Sequence, residues 1–137
     1  MPIESLSDIQ KDSSSAFGMA GSGYGLWKWV TSTSGDPGPS KIGTDNATPA
    51  LATAIRVYQT SSESIDAGGV FSTVSVGDVF YLQQADDAGK AHRYKVTGAL
   101  TDNGNWWTIP VVYVSGVGTF PSTSKSTVTK LTQSTQS

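Results

Sequence analysis

The sequence contains no cysteine, and this absence excludes disulfide bonds, thiolate metal sites and cysteine nucleophiles. No stretch stays apolar over the roughly 18 to 20 residues that are needed to span a bilayer. Residues 1–10 also lack the basic and apolar regions of a secretory signal peptide. We therefore expect a protein that has no membrane partner and is not exported by a Sec signal.

Charged residues are also scarce. They make up 15% of the 137 residues, compared with about 25% in a typical globular protein. The formal net charge is −2, and no basic stripe runs along the sequence. A nucleic-acid surface needs lysine and arginine to neutralise phosphates, so we predict no nucleic-acid partner.

The polar part of the composition is supplied by hydroxyl groups instead. The chain has 20 serines and 16 threonines, together with 15 glycines and 6 prolines. This composition is typical of short strands that are joined by many turns. A length of 137 residues accommodates one domain with a single core.

The strongest local pattern lies in residues 101–114. A cluster from Asp102 to Asn105 tolerates the positive φ angles of a tight hairpin turn, and a dense aromatic and β-branched run follows it. Because side chains alternate along a strand, Trp107, Ile109, Val111 and Tyr113 share one face, and Trp106, Thr108, Val112 and Val114 share the other. Both faces are mostly apolar, which predicts a strand in a core or at an interface.

Other alternating stretches predict further strands at residues 26–33, 51–60, 70–76, 79–84, 91–97 and 126–132. Residues 51–60 also match helical spacing, so a helix remains an alternative there. The 91–97 stretch places His92, Tyr94 and Val96 inward and Arg93 and Lys95 outward. In the last stretch, Lys130 would protect an edge strand. About seven short strands predict an all-β domain at residues 26–137, as an antiparallel β-sandwich or small β-barrel.

Residues 1–25 are predicted to form an extended attachment arm. Spacing in the first ten residues permits a short amphipathic helix, although a frayed tail remains an alternative. The glycine- and serine-rich remainder predicts a flexible or extended segment. Its spaced apolar residues indicate an arm that lies along a groove, and a tail that folds back on its own domain is equally compatible. The predicted anchor residues are Ile3, Leu6, Ile9, Phe17, Met19 and Tyr24.

The residues with catalytic or ligand chemistry have simpler structural interpretations. His92 is the only histidine, and its position in an alternating strand indicates a structural role rather than a catalytic triad. The adjacent Asp86 and Asp87 are typical of a solvated turn. The cluster at 102–105 lacks the spacing of a calcium loop. We predict no catalytic residue, no cofactor and no metal.

Four tryptophans are many for so small a domain. Most aromatic side chains of a small β-protein lie in its core. Trp27, Trp29 and Trp106 nevertheless offer enough apolar area for a subunit interface or for stacking against a sugar ring. We predict these three residues as interface or glycan-stacking positions.

Several short motifs occur together in the chain: S-G-D-P-G-P-S-K-I (34–42), D-N-A-T-P-A (45–50), V-G-D-V-F-Y-L-Q (76–83), Y-K-V-T-G (94–98) and T-D-N-G-N-W-W-T-I-P-V (101–111). Their order and content resemble a domain of bacteriophage virion proteins, notably tail-fibre, collagen-like fibre and other particle-surface proteins. The resemblance runs from residue 33 to residue 129, which is 97 of the 137 residues. The chain lacks the collagen repeat and the long heptad stalk of the longer fibre proteins.

This resemblance implies a non-enzymatic structural or adhesive module of the virion, usually a homotrimer. We expect a tail-fibre or baseplate-associated appendage that is made in the host cytoplasm and displayed on the phage particle, bound to other virion proteins through residues 1–25. The alternatives are a capsid decoration protein, either cement or head fibre, and a carbohydrate-binding module that recognises host-surface glycans.

Overall fold

A computed structural model describes residues 22–133 of the chain. Within this range it contains eight strands, one single-turn helix and one 3-10 turn. No helix in this range is long and apolar enough to cross a membrane. In chain order the elements are β1 (Ser22–Trp29), β2 (Lys41–Thr44), the 3-10 turn (Pro49–Leu51), β3 (Ala54–Tyr58), α1 (Gly68–Phe71), β4 (Val79–Gln84), β5 (Asp87–Val96), β6 (Thr101–Asp102), β7 (Trp106–Val117) and β8 (Ser126–Thr132).

The strands form a closed barrel. Seven of them follow one another in the ring β3-β2-β1-β8-β4-β5-β7, and the pairing of β7 with β3 closes it. The short β6 adds to β7 outside this ring. A closed ring with an odd number of strands cannot be antiparallel throughout, and the pair β1–β2 is parallel. The predicted all-β class is confirmed, with the barrel as its architecture.

The barrel interior is filled by large apolar side chains, and α1 contributes one of them from outside the sheet. The Phe71 ring of α1 lies 6.1 Å from Trp27 and 5.7 Å from Trp107. The strand predicted at residues 70–76 is therefore wrong. Two glycines precede Val70, and the amide of Phe71 donates a hydrogen bond to the carbonyl of Ala67, so the chain turns and inserts Phe71 into the core.

The first and last described strands are neighbours in the barrel wall. β1 begins at Ser22, within the range predicted for the flexible arm, and Ser22 lies opposite Thr132 of β8. β8 also pairs with β4 on its other side. The prediction that residues 126–132 form an edge strand is therefore wrong, because barrel closure places β8 between two neighbours.

A buried arginine holds one long loop against the barrel. Arg56 points outward from β3, yet it is 3% exposed because residues 32–35 cover it. Its guanidinium donates to the carbonyls of Ser32, Ser34, Gly35 and Thr44 at 2.7 to 2.9 Å. Burial lowers the pKa of Arg56, and nearby carboxylates oppose this shift. Neutral oxygens thus satisfy the buried cation without a carboxylate in direct contact.

Asp45 holds a second loop, between β2 and β3. Its carboxylate accepts hydrogen bonds from the amide of Thr53 at 2.8 Å, the hydroxyl of Thr53 at 2.5 Å and the amide of Ala54 at 3.1 Å. Burial raises the pKa of Asp45, but these three hydrogen bonds together outweigh it, so the pKa is lowered. The contribution to stability is therefore present above the unfolded pKa of about 3.9 and is lost as the pH falls through the folded pKa.

We expect Asp45→Asn to lower the free energy of unfolding by about 1 kcal/mol at pH 7. The difference from wild type should shrink as the pH falls from 5 to 3, because the carboxylate of the unfolded wild-type chain takes up protons in this range and the advantage of the ionised folded form decreases. Urea unfolding at pH 7, 5 and 3 measures this difference. Glu63→Gln, in an exposed loop, is the control. If the difference in unfolding free energy between wild type and Asp45→Asn stays constant from pH 7 to pH 3, the charge of Asp45 does not contribute to stability.

Candidate functional site on the outer face of the barrel

Two of the three tryptophans predicted as surface positions lie in the core. Trp27 is 0% and Trp29 is 2% exposed. The indole of Trp27 donates to the carbonyl of Tyr58 at 2.8 Å, and Trp29 stacks at 4.6 Å on Phe120. Strand alternation correctly groups both on one face of β1, but it does not say which face is inward. The prediction of an interface or glycan-stacking role for Trp27 and Trp29 is corrected by their burial.

Trp106 is the predicted tryptophan that remains on the outer face. It is half-buried at the start of β7 and lies opposite Tyr58 of β3. Its neighbour Trp107 points inward, is 8% exposed, and donates from its indole to Gln59 Oε1 at 3.0 Å. The core position predicted for Trp107 is confirmed, and the interface or surface role of Trp106 stays a prediction.

Most of the predicted anchor residues lie outside the described part of the chain. These are Ile3, Leu6, Ile9, Phe17 and Met19. The backbone of Tyr24 belongs to β1, where it lies opposite Lys130 of β8.

His92 has the structural position that its strand predicts. It is 1% exposed, and its Nε2 lies 3.1 Å from the carbonyl oxygen of Thr119, which can only accept a hydrogen bond. Nε2 therefore carries the proton. The other ring nitrogen, Nδ1, faces Gly116 and has no hydrogen-bond partner within residues 22–133. No hydroxyl nucleophile of the described chain is hydrogen-bonded to this ring.

The acidic turns also have structural partners. Asp86 accepts hydrogen bonds from Gln84 Nε2 at 2.6 Å and from Lys125 Nζ at 3.3 Å. These hydrogen bonds lower the pKa of Asp86. Asp102 accepts the amide of Gly104 at 2.9 Å, in the predicted hairpin turn. In the part of the chain that the structure describes, no three His, Cys, Asp or Glu residues lie close enough to hold a metal ion.

The outer face of the barrel carries two candidate surfaces, and the first is an aliphatic one on β7. Val112, Val114 and Val117 are 49%, 52% and 55% exposed. The register between β5 and β7 shifts between Arg93 and Tyr94, so Val114 is an extra residue in β7. We call Val112, Val114 and Val117 the valine stripe. Beyond Val111, β7 pairs with β5 but not with β3.

The second surface is a groove across β8, β4 and β5. Tyr81 of β4 lies directly opposite Lys130 of β8 on one side and Arg93 of β5 on the other. The groove has a volume of about 380 Å³. Its lining consists of Val79, Tyr81, Gln83, Arg93, Val128, Lys130 and Thr132, and we call it the basic groove.

Sequence reasoning did not identify the basic groove. Alternation places Arg93 outward, and Lys130 is visible as a charged residue in a strand. The strand register brings these two cations together, because Arg93 of β5 and Lys130 of β8 both lie opposite Tyr81 of β4. The sequence signal is that β4 and β8 contain no carboxylate, so an outward cation on these strands has no acidic neighbour across the sheet.

Replacing the two tryptophans should separate folding from association. Trp107→Ala should lower the free energy of unfolding by about 3–5 kcal/mol, because it leaves a cavity beside Phe71. Trp106→Ala should cost only about 1 kcal/mol and weaken self-association. Urea unfolding and light scattering measure the two effects. Equal losses of stability would show that both side chains are core residues.

Comparison with known proteins leaves the resemblance to virion proteins as an expectation. No family model matches the chain, and neither a curated protein nor a solved structure matches it. The functional argument therefore depends on the surfaces of the barrel itself.

Proposed function

We propose that this protein is a non-enzymatic structural component of a bacteriophage particle, a homotrimer associated with the tail fibre or baseplate. The observation that supports this proposal best is the valine stripe. It places three half-exposed aliphatic side chains in the wall of a barrel, on a strand whose opposite face is core. Exposed apolar patches on small domains are typical of protein interfaces.

The most economical occupant of the stripe is a second copy of the chain. From Val112 to Val117, β7 has a paired strand on one side only, and such an edge is a template for further association. Lys95 lies beside the stripe on β5, opposite Val112, whereas the carboxylates of the described chain lie mostly in loops. A contact between the stripe of one copy and an acidic loop of the next is heterologous, and a heterologous contact forms a ring such as a trimer when its rotation closes.

The attachment of the protein to the particle is assigned to residues 1–25. The spaced apolar residues of this segment support the assignment. We prefer the tail to the capsid as the place of attachment. β1 begins at Ser22, which lies opposite Thr132 of β8, so an attachment through the residues before Ser22 leaves every strand of the barrel in place.

Val114→Asp should convert the trimer into a monomer, because it places a carboxylate in the centre of the apolar contact. Sedimentation analysis at micromolar concentration measures the oligomeric state. The matched control is Val76→Asp, since Val76 is 63% exposed in a loop outside the stripe. We expect this control to remain trimeric.

Two results would contradict the role of the stripe in assembly. One is a wild-type chain that is monomeric at micromolar concentration. The other is a Val114→Asp variant that remains trimeric. Circular dichroism establishes that the variant retains its strands, so that loss of the trimer is not loss of the fold.

A chain that lacks residues 1–21 should keep its barrel and fail to enter the particle, because β1 begins at Ser22. Particle assembly in the presence of this shortened chain, followed by quantitative mass spectrometry, tests the assignment.

Copy number in wild-type particles distinguishes the two virion roles. A few trimers per particle support the tail, and hundreds of copies support capsid decoration.

A carbohydrate-binding module is the alternative from a different class. A crevice lined by Trp29 and Phe120 supports the carbohydrate-binding alternative, since Thr31, Ser32 and Thr33 also line it and carry hydroxyl groups. Its volume of about 180 Å³ is below the roughly 300 to 1,000 Å³ of typical ligand pockets. The indole of Trp29 is also covered. The assembly role is therefore the better supported of the two.

A further inference from the structure

We propose that the basic groove binds an anionic polysaccharide. This inference goes beyond the assembly role, because the groove lies on β8, β4 and β5 and the valine stripe lies on β7. It also differs from the glycan-stacking prediction, since the recognition is electrostatic and does not use a tryptophan.

Two cations lie on either side of the floor of the groove. Arg93 and Lys130 occupy the strands on each side of Tyr81, so their backbones are roughly 10 Å apart, or twice the spacing of neighbouring strands. A separation of two strand spacings between the backbones suits two charged groups that follow one another along a polymer.

Within residues 22–133, no carboxylate forms an ion pair with the cations of the groove. The one ion pair within residues 22–133 joins Lys125 and Asp86, which lie elsewhere. Neither β4 nor β8 contains a carboxylate, and the only acid in β5 is Asp87 at the start of that strand. The side chains of Arg93 and Lys130 are thus available to an external anion, and the groove is complementary in charge to an acidic ligand.

The polar groups of the groove are held in place before any ligand binds. The guanidinium of Arg93 lies 5.0 Å above the centre of the Tyr81 ring, a cation–π contact. The hydroxyl of Tyr81 donates to Gln83 Oε1 at 2.8 Å. These contacts lower the entropy that is lost on binding. The phenol oxygen and the amide, together with Thr132, supply polar groups suited to sugar hydroxyls.

The same geometry disfavours nucleic acid. Proteins that bind single strands stack the bases on exposed aromatic rings, and the ring of Tyr81 is covered on one face by Arg93. Duplex binding depends on many phosphate contacts, whereas the groove offers two cations. Its volume of about 380 Å³ lies within the range of ligand sites. An acidic saccharide segment therefore suits it better.

Biolayer interferometry with the full chain and three polysaccharides tests the proposal. Dextran sulfate and polygalacturonate carry sulfate and carboxylate groups, and neutral dextran carries neither. We expect the first two to bind, with affinity that falls as salt is raised, and neutral dextran to give no signal. The stronger of the two acidic polymers identifies the preferred anionic group.

Arg93→Gln and Lys130→Gln should each weaken binding by about tenfold, and the double variant should abolish it. Lys130→Arg should retain binding, because it keeps the charge. The matched control is Lys90→Gln, which removes a cation from β5 outside the groove and should leave affinity unchanged. Circular dichroism verifies that each variant is folded.

Three outcomes would overturn the proposal. The first is that neither acidic polysaccharide binds the wild-type chain. The second is that the folded double variant binds as tightly as wild type. The third is that a single-stranded DNA of equal charge competes with the polysaccharide at equal concentration, which would mean that the groove attracts any polyanion.

Discussion

Closure of the barrel depends on the pairing of β3 with β7, since this pairing joins the two ends of an otherwise open sheet. A ring of seven strands must contain a parallel pair, which here is β1 with β2. Parallel neighbours need a connection that crosses from one end of the strands to the other, and residues 30–40 supply it. Arg56 of β3 holds this connection through the carbonyls of Ser32 and Ser34. The strand that closes the barrel therefore also secures the loop that closure requires.

The loops explain why the outer wall is cationic in a chain of net charge −2. Six aspartates accept hydrogen bonds from backbone amides in turns: Asp36, Asp45, Asp66, Asp78, Asp87 and Asp102. Backbone amides in tight turns need such acceptors. Four of these six carboxylates lie outside the strands, and Asp87 and Asp102 lie at strand ends. The outward lysines and arginine in the middle of the described strands therefore lack acidic neighbours. Four of these aspartates lie in the motifs on which the suggested resemblance to virion proteins rests. Part of that resemblance therefore reflects the residue types that tight turns require.

Local patterns predicted the strands better than they predicted the surfaces. Alternation in β7 correctly assigned Trp107, Ile109 and Val111 to the core, because its period is a local property. It could not show that Trp27 points inward, since that depends on the side from which the rest of the chain packs. The insertion of Phe71 likewise depends on space between Trp27 and Trp107. The basic groove depends on the register between strands that are far apart in the sequence, which no local pattern determines.

The pairing of Ser22 with Thr132 brings the first and last described strands side by side. The chain therefore enters and leaves the barrel at the same end, within about one strand spacing. Domains with adjacent termini can be inserted into a surface loop of another protein without distorting the host. The geometry of the barrel therefore suits a domain that is inserted within a longer polypeptide as well as one at its end.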